Sequence, residues 1–352
     1  MIMQKQTKVT KKMTFKEFIE VHRKNIHSTI HRYVALKEPL AHYKIMCDYI
    51  DRQGKYARPG LLMLVGMLYG SKPEELYLPA AAQQLSEDWI LMQDDIMDDS
   101  ELRRGLPAAQ KLYGAVHALN ASDTGHIAMW KMLKDYAIAN GEKGSQLYDK
   151  FYEMVEYTVE GQYIENHFIH DTKDLKQASE EQYYRIVDSK TCFYTIFGPM
   201  QLGAIAAGHG DAKTLQMLKE IGTQAGIAFQ IVDDILDMTA DEKHFGKKRL
   251  GDLYEGKLTL PVLHAYKNAT NAEKDKLDAI YRKKRQEKNE EEVKFIESMV
   301  LKYKGLEYAK SLVEARGARA DSLLEKFWND LPNNQYRDML ADAMHALYRR
   351  DK

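Results

Sequence analysis

This chain has little cysteine, little proline and almost no net charge, and each shortage narrows what it can be. Only Cys47 and Cys192 occur in 352 residues. A disulfide framework is thereby excluded, and a reducing compartment, the cytosol, is the expected location. No run of about 18 apolar residues exists, so no membrane span is expected. The basic start MIMQKQTKVTKKMTF lacks the apolar stretch of a secretory signal, and residues 1–14 read as a flexible basic N-terminus. Lysine plus arginine total 51 against 52 aspartates and glutamates, a net charge of -1. A general nucleic-acid binder would be basic overall, so nucleic acid is not an expected partner. Any attraction for anions must be local. The pattern GxxxxGK[ST] is missing, which disfavours a nucleotide hydrolase. None of the 12 histidines has a glutamate three residues before it, as a carboxylate-bridged di-iron bundle requires.

Apolar residues make up 44% of the chain, enough for a substantial core. They recur at helical spacing, as in Leu215, Leu218, Gly222, Ala225 and Phe229, and again in Leu306, Ala309 and Val313. Alternating strand patterns are hard to find. Of the 8 prolines, Pro39, Pro73, Pro79, Pro261 and Pro332 read as punctuation between helices. The expectation is an all-α protein of about a dozen helices, forming one domain over residues 1–352. The highly charged RKKRQEKNEEEVK at 282–294 reads as a solvated connection and the start of a helix.

Against this background two acidic clusters stand out. LMQDDIMDDSELRRG puts Asp94, Asp95, Asp98 and Asp99 directly after an apolar run, and IVDDILD places Asp233, Asp234 and Asp237 139 residues further on. Asp94/Asp98 and Asp233/Asp237 are i, i+4 pairs, so each shares a helix face and repels unless a cation compensates. One such cluster could be an exposed acidic face or a helix cap. Two, each preceded by apolar helix, are hard to explain that way. Oxygen-only ligands suit magnesium, which takes one or two carboxylates and completes its shell with substrate phosphates.

Cations sit at several places along the chain. QGKYARPG carries Lys55 and Arg58, Arg103 and Arg104 follow the first cluster, DSKTCFY carries Lys190, and FGKKRLGDLYEGK carries Lys247 and Lys257. Any one could be an ordinary surface cation. Together with the carboxylates they suit one metal-bound polyphosphate and a second, metal-free one.

In these motifs the chain resembles the trans-isoprenyl diphosphate synthases, or polyprenyl synthetases. The similarity runs from about residue 50 to the end, through GKYARP, DDIMDDSELRRG, Gly161-Gln162, KTCFY, FQIVDDILD, GDLYEGKLTLP and the basic tail LYRRDK. The resemblance implies antiparallel helices around a central cavity (the isoprenoid synthase fold), usually as a homodimer. It implies condensation of isopentenyl diphosphate with an allylic diphosphate. Asp94, Asp95 and Asp98 with Asp233, and Asp237 through water, would hold three magnesium ions on the allylic diphosphate, and Asp234 belongs to the second motif. Arg103, Lys190 and Lys247 would hold the same diphosphate, with Lys257 near it. Lys55, Arg58 and Arg104 would bind isopentenyl diphosphate, with Arg349 and Arg350 closing over it, and Thr191 and Gln230 would face the carbocation.

Some positions depart from the family pattern. Glu87 stands where His or Gln usually meets isopentenyl diphosphate, and a carboxylate there repels phosphate unless it is protonated or paired with a cation such as Lys55 or Arg58. Glu165 replaces an aspartate, Gln53 a glycine, and Tyr56 a common arginine. Trp89 and Ile90, five and four residues before Asp94, fall where the family sets product length. A tryptophan floor there implies early termination, at geranylgeranyl diphosphate, with farnesyl diphosphate as the alternative. A non-catalytic partner subunit of a heteromeric synthase is a further alternative, raised by Glu87. A terpene cyclase would not need the Lys55/Arg58 loop.

Overall fold

The computed structural model describes residues 12–239 and 249–349. Among them are fifteen α-helices, more than the dozen expected, because two five-residue helices are too short to show a period. Those that frame the site are α1 (Phe15–Tyr33), α2 (Leu40–Asp51), α3 (Ala57–Leu68), α4 (Pro73–Met97), α5 (Ala109–Tyr113), α6 (Ala115–His167), α7 (Glu180–Val187), α8 (Gly198–Ala206), α9 (Ala212–Thr239) and α10 (Gly251–Glu255). They are followed by α11 (Leu260–Asn268), α12 (Asn271–Tyr281), α13 (Glu290–Lys302), α14 (Gly305–Phe327) and α15 (Gln335–Tyr348). The buried apolar side chains form one cluster reaching from Phe18 on α1 to Tyr348 on α15.

Local chemistry explains the helix ends. Thr14 caps α1 by accepting from the Glu17 N–H, while Glu17 accepts in return from the Thr14 N–H at 2.8 Å. Pro73 opens α4, where a missing N–H costs nothing. Pro79, expected between helices, lies inside α4. The helix runs on because its apolar face is buried, from Leu76 through Leu85 to Trp89, and packing outweighs one lost backbone hydrogen bond. α6 changes direction at Gly141, whose φ of 57° and ψ of −131° are non-helical.

α4 packs along α6, and α9 packs against α14 and against a wide-turned π-helical stretch, Asp188–Phe197. Such a stretch often marks a functional site, because it re-aims side chains within a helix. It carries Lys190 and Thr191. Gly161 of α6 lies so close to it that a Cβ would stand 1.9 Å from Ser189 Oγ. The segment 282–294 is less solvated than its composition suggests. Lys288 is buried, donating to the carbonyls of Leu253 at 3.0 Å and Tyr254 at 2.9 Å. Burial, and then the charge of Lys173, lower its pKa to about 8.

One contact in this framework tests the tightness of the packing. A Cβ on Gly203 of α8 would stand 2.2 Å from the Leu62 carbonyl oxygen of α3. Gly203→Ala is expected to cost about 1–3 kcal/mol by pushing the two helices apart. Urea unfolding checks it: the midpoint should fall at unchanged slope, and an unmoved midpoint would refute the close approach.

Candidate active site

The first acidic motif ends α4, and its four aspartates differ in setting. Asp95 is fully buried. Tyr49 of α2 donates to its Oδ2 at 2.6 Å, and Arg103 Nε donates to both carboxylate oxygens at 3.0 and 3.1 Å. Asp95, expected among the metal ligands, thus has both oxygens engaged by Tyr49 and Arg103. The arginines do not continue the helix. Leu102–Arg103 and Leu106–Pro107 pair as a two-stranded hairpin whose turn, Arg104-Gly105, has φ of 55° and 78°. Two successive positive φ values favour a tight turn of this kind. It brings Arg103 to Asp95 and Arg104 to Asp88, where Nη2 donates at 2.8 Å. Burial raises the Asp88 pKa to about 7, with Arg104 pulling against it.

The second motif, on α9, repeats the device. Asp234 is buried and accepts from Tyr183 OH at 2.7 Å and from Gln230 Nε2 at 2.9 Å. Gln230 Oε1 in turn accepts from Thr191 Oγ1 at 2.7 Å. Thus the second aspartate of each motif is locked by a tyrosine from another helix. Burial and then Asp252 hold Asp234 well above the ordinary carboxylate range.

The second motif borders a cavity of about 200 Å³, lined by Glu165, Lys190, Thr191, Gln230, Asp233, Asp237, Asp252 and Lys257, and the first motif approaches it through Asp98, 3.4 Å from Lys257. Lys190 is ion-paired with Glu165. Burial pulls its pKa down, but Glu165 and then Asp94 outweigh this and raise it, which places the first motif within electrostatic reach. Lys257 lies 2.7 Å from Glu255, 3.4 Å from Asp98 and 3.8 Å from Asp252. Burial raises Asp98 to about 7, partly countered by Lys257. Burial, followed by Asp252, raises Asp237 to about 7, although the Asp252 N–H donates to its Oδ2 at 3.2 Å. Carboxylates crowded until they hold protons are what a hard divalent cation relieves. Asp98 and Asp237 fit that role by burial and charge, and Asp233 by lining the cavity. Asp94 lies in the last turn of α4 and Asp98 caps its end.

A separate basic corner lies about two turns back along α4, at Glu87 and Asp88. Arg58 Nη1 is 3.0 Å and Arg104 Nη2 is 3.6 Å from Glu87, and the Arg58 guanidinium lies 4.8 Å above the Tyr194 ring. Glu87 thus has its cations, Arg58 and Arg104, while Lys55 is exposed to solvent. Arg349, expected to close over this corner, is held by Asp321 at 3.1 Å instead. Lys247 and Arg350 lie outside the described residues.

Below Asp94 an apolar groove of about 280 Å³ runs between α4 and α6, lined by Trp89, Ile90, Met97, Thr158, Val159 and Tyr163. Trp89 is only 4% exposed; its Nε1 points to Met129 Sδ at 3.5 Å and its ring lies 4.5 Å from that of His126.

Sequence reasoning passed over Asp88, Tyr49, Tyr183 and Asp252. Asp88 had a signal: it stands seven residues before Asp95, two turns along the same face. Asp252 lay in the quoted GDLYEGK, where only the lysine was taken. The tyrosines had none, being distant in sequence from the aspartates they hold.

The polyprenyl synthetase family profile matches residues 41–300. The chain belongs to this family. It is 34% identical over 265 residues to the geranylgeranyl diphosphate synthase of Sulfolobus acidocaldarius, covering 74% of this chain and 77% of that one. It is 35% identical over 282 residues to the geranylfarnesyl diphosphate synthase of Aeropyrum pernix, covering 79% and 85%. Its fold is that of the geranylgeranyl pyrophosphate synthase from Corynebacterium glutamicum, solved with isoprenyl diphosphate and magnesium, at a TM-score of 0.82, 22% identity and coverage of 96% and 99%. This polyprenyl synthetase is a prenyltransferase with the helical isoprenoid synthase fold, and no helix among the described residues is long and apolar enough to cross a membrane.

The raised carboxyls have a measurable consequence. Unfolded aspartates lose their protons near pH 4, whereas Asp98 and Asp237 in the folded, metal-free enzyme keep theirs to about 7. Folded protein then binds more protons than unfolded, so these groups lower stability as pH rises through that window. Magnesium should therefore raise Tm more at about pH 8, where no proton has to be displaced, than at about pH 5.5, and Asp98→Asn should shrink the rise. Differential scanning fluorimetry checks both; a response equal at the two pH values would contradict the assignment.

Proposed function

We propose that this enzyme condenses isopentenyl diphosphate with an allylic diphosphate and releases geranylgeranyl diphosphate. The carrying observation is that Lys190 and Lys257 line one cavity with the second aspartate motif while Lys257 also reaches Asp98 of the first, with a paired-arginine corner further back along α4 and a tryptophan-lined apolar groove beside Asp94. Farnesyl diphosphate is the alternative product. Asp94, Asp98, Asp233 and Asp237 hold divalent ions, three magnesium ions in the family's pattern, and Lys190 and Lys257 hold oxygens of the allylic diphosphate. Bound magnesium supplies Lewis-acid stabilisation of the leaving group. As the carbon–oxygen bond breaks, its electrons leave with pyrophosphate, and the two ammonium groups meet charge that develops there. Thr191 and Gln230 turn their oxygen dipoles toward the allylic cation. Arg58, Arg104 and Lys55 hold isopentenyl diphosphate so that its double bond meets that cation before water does. The new carbon–carbon bond forms and a proton leaves to the departing pyrophosphate.

A homodimer is part of the proposal. α6 exposes Val116 (78%), Ile127 (69%) and Ile138 (73%), apolar surface that a second subunit would cover. The cytosol is the compartment proposed.

Incubation with labelled isopentenyl diphosphate, magnesium and, in turn, dimethylallyl, geranyl and farnesyl diphosphate tests the reading. A discrete geranylgeranyl product, lost with EDTA, is expected; no elongation from any primer by folded protein refutes it and favours a partner subunit. Trp89→Ala should yield longer products, and an unchanged length places the floor elsewhere. Glu87 competes with the substrate for Arg58 and Arg104, so Glu87→Gln should lower the KM for isopentenyl diphosphate about threefold to tenfold, a change of about 1 kcal/mol. A raised KM would mean that the carboxylate instead positions those arginines.

A further inference from the structure

Behind the basic loop, on the outer face of α1, lies a cluster that the prenyl-transfer site does not use. His27 and His31 are one turn apart on α1, and Asp51 is the last residue of α2. The Nε2 atoms of both imidazoles converge on one oxygen, Asp51 Oδ1, at 3.1 and 2.7 Å. The three donor atoms all lie within 4.8 Å of one another. In a tetrahedral zinc site with bonds of about 2.0–2.1 Å, ligand atoms stand about 3.3 Å apart, so the two imidazole–carboxylate distances need to open by only a few tenths of an ångström. The side chains are 22%, 30% and 56% exposed, which leaves room for water in the fourth position. Two imidazoles and one carboxylate suit zinc and its neighbours, whereas magnesium prefers oxygen alone.

We propose that His27, His31 and Asp51 form a binding site for a transition ion of the zinc type, separate from the aspartate-lined cavity. Such an ion ties α1 to the foot of α2. The chain passes directly from Asp51 into the loop that carries Lys55. α1 already grips this loop one turn earlier, where Arg23 Nη1 donates to the Gly54 carbonyl at 2.7 Å and its guanidinium covers the Tyr56 ring at 4.6 Å. Gln53 and Tyr56 in the loop hold positive φ values of 45° and 57°, a conformation that side chains other than glycine adopt at some cost. The ion adds a second tie beside Arg23 and braces that conformation.

Zinc titration by calorimetry of the full chain in excess magnesium, which keeps the aspartate cavity occupied, tests this. The wild-type protein should bind one equivalent more than His31→Gln, and zinc should raise Tm for wild type but not for the variant. Asp51→Asn, which keeps both imidazoles, should weaken that equivalent at least about tenfold. With cobalt in place of zinc, wild type should show a visible absorption band that His31→Gln lacks. Equal stoichiometry and equal Tm response in wild type and His31→Gln, with circular dichroism unchanged, would overturn the site. So would an extra equivalent that excess magnesium displaces.

Discussion

The structure depends on keeping negative charge crowded at one place in a medium that resists it. An unpaired carboxylate buried in protein is expensive, and helical spacing forces the aspartates at the first and fifth positions of each motif together. The fold does not relieve this by spreading the charge. It fixes the second aspartate of each motif from behind, Asp95 by Tyr49 and Arg103, Asp234 by Tyr183 and Gln230. Fixing these residues holds their helices in register while the remaining carboxylates stay crowded at the cavity. The resulting electrostatic tension is what a divalent ion and a bound diphosphate release. Metal affinity and the cost of folding without metal are then two readings of one arrangement.

The same logic separates the two anion sites. At the aspartate-lined cavity, cations are outnumbered: Lys257 alone is shared among Asp98, Asp252 and Glu255. At the corner formed by Arg58 and Arg104, Glu87 and Asp88 are each matched by an arginine. A diphosphate arriving with its own metal suits the first, and one arriving without metal suits the second. The charge of Glu87 is thus already answered by Arg58, with Arg104 close by.

Much of this was legible in the sequence, and the reason is the rigidity of helical geometry. Asp94/Asp98 and Asp233/Asp237 declared themselves because a helix permits no other arrangement of i and i+4. Lys190 and Arg58 were legible as members of ordered motifs. What escaped notice is what the chain brings together only by folding. Tyr49 and Tyr183 come from helices remote in sequence from their aspartates. The hairpin that turns Arg103 and Arg104 back has two residues per strand, too few to show alternation. Lys288 sat in a run of charges whose composition says solvent, yet the loop at Leu253 and Tyr254 buries it. Pro79 read as a boundary because local propensity cannot see how strongly α4 is packed.

Trp89 and Asp94 share α4, and on the proposed function that makes the helix a measuring stick. Each residue advances the axis by about 1.5 Å, so the tryptophan stands about 7.5 Å along it from the aspartate, and one full turn adds about 5.4 Å. One turn is comparable to the extended length of a single five-carbon unit. Because both ends of the measure are cut into the same rigid rod, a bulky residue displaced by one turn changes the reach by one unit, without disturbing the metal ligands. On that proposal, product length becomes a property of position along α4, open to stepwise change by evolution or design.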